Sequence, residues 1–127
     1  MKHINPDTLP RTNGYSHVVE VTGGRTIYIS GQIAFDRAGK VVGEGDFAAQ
    51  VRQVFENLKA ALTAANAGLD DVVKITIFMT DLGHLPTLRE VRDRYFTTAA
   101  PASSLVQVSG LVHPALMVEI EAIAVAV

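Results

Sequence analysis

Two carboxylates, Glu119 and Glu121, stand inside Met117-Val-Glu-Ile-Glu-Ala-Ile-Ala-Val125, a run otherwise apolar enough for an interior strand. An isolated carboxylate is costly to strip of water, so an acid in such a place needs a partner, a wet cleft or a chemical task. Side chains alternate along a strand. Glu119 and Glu121 therefore share one side with Ile123 and Val125, while Val118, Ile120, Ala122 and Ala124 take the other. Two readings stay open. Either both acids face water on a solvated strand edge, or one of them is a water-activating group.

Other chemistries find less support. The chain has no cysteine, which removes disulfides, thiol nucleophiles and thiolate metal sites. His3, His17, His84 and His113 show neither an i, i+4 pair nor a short H-x-H spacing, so no metal is expected. Ser103-Ser104 lacks the G-x-S-x-G elbow of a nucleophilic serine, and the glycines around Asn66-Ala-Gly68 form no phosphate-cradling loop. The net charge is −2, and basic residues are scattered from Lys2 to Arg94 without a cluster, which argues against nucleic acid as a partner.

At 127 residues the chain reads as one domain, 1–127, large enough to bury a core without staples. Its first residues lack the apolar core of a secretion signal, and no apolar run is long enough to cross a bilayer; a cytoplasmic location is the expectation. A hydrophobic fraction of 48% is rich for this size. Some of that surface is expected to face another subunit.

The elements that must carry the acids follow from pattern. His17–Val21 and Thr26–Ser30 read as strands joined across Gly23-Gly24, a pair suited to a tight hairpin. Gly31–Ala34 prolongs the second, and a short strand is expected around Val41-Val42. Asp46 is a suitable N-cap for a helix in which Phe47, Val51, Val54, Phe55, Leu58 and Leu62 form one stripe, with Gly68 as its stop. Val72–Thr80 reads as a strand, with Val73, Ile75, Ile77 and Met79 on one face and Lys74, Thr76, Phe78 and Thr80 on the other. A second helix is expected from Leu85-Pro86 to about Thr97, turning Leu85, Leu88, Tyr95 and Phe96 inward. Arg89, Glu90, Arg92, Asp93 and Arg94 are its polar side. Two strands close the chain, Ser103–Ser109 and Leu116–Val125. Two helices cover only one side of such a sheet, so its other side, carrying Phe78, Ile123 and Val125, is expected to meet a neighbour in a closed homo-oligomer.

Taken together, several of these segments resemble the reactive intermediate deaminase (Rid) family. They are Tyr28-Ile-Ser-Gly-Gln-Ile33, Gln50-Val-Arg-Gln-Val-Phe-Glu-Asn-Leu-Lys59, Val73-Lys-Ile-Thr-Ile-Phe-Met-Thr-Asp81, Tyr95-Phe96, Pro101-Ala102 and Val118-Glu-Ile-Glu-Ala-Ile-Ala-Val125. The resemblance implies an α+β, chorismate-mutase-like fold, a mixed sheet with two helices on one face, assembled as a homotrimer with clefts at the subunit boundaries. It implies hydrolysis of small imines or enamines to carbonyl compounds and ammonia, without metal or cofactor. Carried over, the water-positioning glutamate falls on Glu119 and the cleft-lining tyrosine on Tyr15. Ser30 and Gly31 match the Ser-Gly whose backbone borders the pocket, and Leu105 falls where a backbone carbonyl helps to hold the water. Arg89 stands where many relatives have asparagine.

One departure matters most. Deaminating members place an arginine directly after Pro-Ala and clamp the substrate carboxylate with it, whereas this chain has Ser103. A hydroxyl cannot replace a planar fork of two parallel donors, so 2-imino acid turnover is in doubt and Arg89 becomes the candidate replacement. Two rival functions are kept: a small-metabolite-binding or interaction module on the same trimer, and RNA cleavage, an activity sometimes attached to this family.

Overall fold

A computed structural model describes residues 1–127. Six strands and two long helices run in the order β1 (Lys2–Ile4), β2 (Val18–Glu20), β3 (Arg25–Ile33), α1 (Phe47–Ala64), β4 (Val72–Met79), α2 (Leu85–Tyr95), β5 (Ala102–Gln107) and β6 (Val118–Ala126), with short 3-10 turns at Leu69–Asp71 and Leu82–His84. β3, β6, β4 and β5 lie side by side in that order. β6 is antiparallel to both of its neighbours, and β5 runs parallel to β4. The sheet is mixed, and β6 is threaded between the two strands that α1 connects.

Why α1 forms where it does is legible locally. The Asp46 side chain accepts from the Ala49 amide at 3.1 Å, satisfying one of the helix's orphan donors. Val51, Val54, Phe55, Leu58 and Leu62 are fully buried against the sheet. Each such side chain contributes about 1.5–3 kcal/mol of transfer free energy. The expected stop at Gly68 is not the one used: the helix ends at Ala64, and Asn66 takes the left-handed turn at φ 55°. Asparagine tolerates that conformation, so the chain reverses two residues before the glycine.

Core strands alternate as expected. Val118, Ile120, Ala122 and Ala124 are buried under the helices together with Ile75, Ile77 and Met79, which stand beside them in register. A bulge between Val72 and Lys74 shifts the start of β4, so Val72 and not Val73 fills the first core position. On the uncovered face Tyr28 is 79% exposed and Val106 45%.

The expected β2–β3 hairpin does not form. β2 pairs with β1 in a separate two-stranded ribbon, Lys2 opposite Glu20, while β3 takes β6 as its partner. Gly23 and Gly24 both have positive φ and still turn the chain. Val41 makes only an isolated bridge to Phe35.

Candidate active site

Glu119 owes its position to the register of β6. In α1 the fully buried Gln50 donates from Nε2 to Ala115 O at 2.8 Å and accepts from the Met117 amide at 2.9 Å, fixing the chain just before the strand begins. Glu119 then stands between Ile33 of β3 and Phe78 of β4, on the face that the helices leave uncovered. It is partly buried, whereas Glu121 is exposed. No protein donor meets the Glu119 carboxylate, which leaves its oxygens available to a water or a ligand.

The reason for Gly31 is steric. Between Ile29 and Gln32 β3 carries one extra residue, so Ser30 and Gly31 share the place opposite Glu121. A Cβ on Gly31 would lie 2.8 Å from Glu119 Cδ and would overlap Oε2. The acid therefore rests against bare backbone. Gly31 and Glu119 thus form one group, with Ser30 beside them in the bulge.

Tyr15, Arg89, Ser103 and Leu105 form another. The segment before β2 is stapled to the start of β5: Ser16 bridges Ala102, its amide donates to Pro101 O at 3.0 Å, and its hydroxyl donates to Ala100 O at 2.6 Å. That brings Tyr15 beside β5. Ser103 and Leu105 are in register with Ile75 and Ile77, so they face the helix side, where α2 passes. The four residues line one cavity of about 150 Å³.

Within the chain the two groups lie apart. β4 separates β6 from β5, and Glu119 and Ser103 belong to opposite faces of the sheet. A single chain cannot present both to one small ligand.

Arg92 corrects the expected polar side of α2. It is 5% exposed and lines the same cavity as Tyr15 and Ser103. Nε donates to Asp93 Oδ1 at 3.0 Å and Nη2 to Asn13 O at 3.3 Å. The signal was present in the spacing, because Arg92 is seven residues after Leu85 and four after Leu88, both of which turn inward. Gly14, at φ 72°, has no room for a side chain, since a Cβ there would sit 2.6 Å from Arg92 Cζ.

A larger groove of about 520 Å³ runs between α1 and the Leu69–Asp71 turn, past Lys59, Asp70 and Tyr95. It contains none of the candidate residues. The Tyr95 hydroxyl donates to Glu56 Oε2 at 2.8 Å; burial first, and then that hydrogen bond, push its pKa up to about 12.

Comparison with known proteins agrees with the fold. Residues 6–126 match the model of the family described as Endoribonuclease L-PSP. Protein DfrA of Myxococcus xanthus is 46% identical over 125 residues, covering 98% of this chain and 95% of that protein. A RutC family protein of Pyrococcus horikoshii is 41% identical over 123 residues, covering 95% of this chain and 94% of that one. Among solved structures, a Rid-family protein of unknown function from Yersinia pestis, YyfB, superposes with a TM-score of 0.92 at 35% identity, covering 98% of each chain. RidA from the Antarctic bacterium Psychrobacter superposes with a TM-score of 0.76 at 40% identity, covering 99% of this chain and all of that one. With a family match over nearly its whole length, relatives above 40% identity and the same two helices on a mixed sheet, the chain belongs to the Endoribonuclease L-PSP family, that is, the Rid family.

Proposed function

We propose that this protein hydrolyses the C=N bond of a small imine, or of an enamine after tautomerisation, in a cleft between neighbouring protomers of a homotrimer. One wall is Glu119 with the Ser30-Gly31 backbone of one subunit. The other is the Tyr15, Arg89, Ser103 and Leu105 cavity of the next. The observation that carries this reading is the separation of the two groups onto opposite faces of one sheet, together with an uncovered sheet face on which Tyr28 and Val106 stand exposed.

The chemistry asks little of the protein. Water adds to the imine carbon while Glu119 takes its proton, giving a carbinolamine. Glu119 returns that proton to nitrogen, the hydroxyl proton follows it as the C=O bond forms and the C–N bond breaks, and a carbonyl compound and ammonia leave. Holding the two reactants in line supplies most of the advantage over the reaction in bulk water. None of these steps requires a metal or a cofactor.

The test is to generate 2-aminoacrylate in place and follow pyruvate against the spontaneous rate. Acceleration by the wild type, lost in Glu119→Ala, is expected; no acceleration rejects the reading. A cleft shared between subunits adds a sharper check. Glu119→Ala and Tyr15→Ala chains, each impaired alone, should recover part of the activity when unfolded and refolded together, because each mixed trimer contains one cleft of three with both walls intact. No recovery would place the site within one chain and refute the arrangement.

Ribonuclease chemistry, which the family's description names, fits this chain less well. Its net charge of −2 offers no positive track for a phosphate backbone.

A further inference from the structure

We infer that Arg92, projecting from α2, is the anion-binding group of the Tyr15–Ser103 cavity and holds the carboxylate of a small 2-oxo or 2-imino acid. The inference rests on the reading above for the word substrate, and adds to it the group that selects one.

Three observations converge on Arg92. Its side chain is 6% exposed, and its one ionic partner, Asp93, is 53% exposed and meets Nε alone. A guanidinium taken out of water costs several kcal/mol unless its donors and its charge are matched, and a half-solvated carboxylate at one nitrogen does not match five N–H donors. Nη2 spends one donor on a neutral backbone carbonyl, that of Asn13. No protein acceptor meets Nη1. The one side-chain nitrogen or oxygen both buried and without a partner is His3 Nε2, so Nη1 is not sealed off from solvent, and Arg92 is one of the residues that line this cavity.

Charge and size then restrict the ligand. The lining includes two cations, Arg89 and Arg92, and no acid, while Tyr15 and Ser103 add two hydroxyls and Asn13 an amide. A pocket so lined favours an anion. Its volume of about 150 Å³ equals roughly five water molecules in the liquid, which suits a small acid. Arginine's planar fork fits a carboxylate in particular. Ser103, on the wall facing α2, supplies no charge of its own, so the selecting charge comes from the helix.

Gly14 shows that the arrangement is built. Its positive φ and the absence of a Cβ let the Asn13–Tyr15 turn lie directly on the guanidinium, which holds the fork in one orientation.

The experiment uses the assembled wild-type protein with 2-oxobutanoate and its neutral amide, 2-oxobutanamide, as probes in isothermal titration. The acid should bind about 10- to 150-fold more tightly, the range of one charge-assisted hydrogen-bonded pair. Arg92→Gln should bring the ratio close to one, and Arg92→Lys, which keeps the charge and loses the fork, should fall between. A ratio near one in the wild type overturns the inference without reference to any variant. So does an unchanged ratio in Arg92→Gln. The same titration in Glu119→Gln separates the two proposals: acid preference with no hydrolysis anywhere refutes the deaminase reading alone, and hydrolysis with no acid preference refutes the role of Arg92 alone.

Discussion

The contact between Gly31 and Glu119 makes the catalytic reading testable with a single methyl group. In Gly31→Ala the new Cβ would lie 2.8 Å from Glu119 Cδ and 3.0 Å from Cγ, and would overlap Oε2. Unstrained carbon contacts begin near about 3.5 Å, so the carboxylate must retreat by roughly 1 Å. Because Glu119 is only partly buried and lies on the uncovered sheet face, it can swing away, and the fold should lose no more than about 1 kcal/mol. Catalysis is less forgiving. A displacement of about 1 Å in a group that aligns a reacting water costs on the order of 100-fold in rate. That equals about 2.7 kcal/mol in the barrier. The assay is pyruvate release from 2-aminoacrylate at saturating substrate, run beside a urea titration of each variant. Gly31→Ala should approach Glu119→Ala in kcat while staying close to the wild type in unfolding midpoint. Turnover within twofold of the wild type would refute the idea that Glu119 works from its observed place.

Three further outcomes follow from other parts of the molecule. Tyr28 is 79% exposed on the uncovered face, so Tyr28→Lys should shift the proposed trimer towards monomer in sedimentation velocity; an unchanged sedimentation coefficient would exclude this patch from the proposed subunit contact. Tyr95 keeps its proton better in the fold than the ordinary phenol at 10.0, so its contribution to stability is complete below pH 10 and declines as pH rises towards 12. Tyr95→Phe should flatten that decline in urea midpoints measured across the same range, and an identical slope would show that the phenol is not responsible. Asp46→Ala removes the cap on α1 and should cost about 1 kcal/mol of stability, read as a lower unfolding midpoint with no change in the pyruvate assay.

What the sequence disclosed depended on how local the cause was. The stripe of α1, its Asp46 cap and the alternation of β6 are properties of a few neighbouring residues, and all three stand as expected. Pairing is not local. Gly23-Gly24 suits a hairpin, yet β1 and β2 are three residues each, and the partner of β2 lies at the start of the chain, which no turn signal records. Val72 replaced Val73 in the core because one extra residue in β4 inverts the alternation, and a run of β-branched residues gives no sign of where a bulge falls. Arg92 was hidden by a rule that usually holds: charged residues on a mixed helix face belong to water. Its spacing from Leu85 and Leu88 pointed inward, and position outweighed residue type. The grouping of Tyr15 with Ser103 needed Ser16 as a staple, a contact 84 residues apart in sequence.

That staple ties two properties that are usually independent. β5 is the outer strand of the four-stranded sheet, and an unprotected border of this sort invites pairing with foreign chains. The stretch around Ser16 occupies part of that border while its neighbour Tyr15 walls the cavity, so edge protection and cavity shape share one short piece of backbone. A change at Tyr15 that reshapes the cavity therefore acts on the same residues that cover this strand edge, which narrows the routes by which the pocket can change.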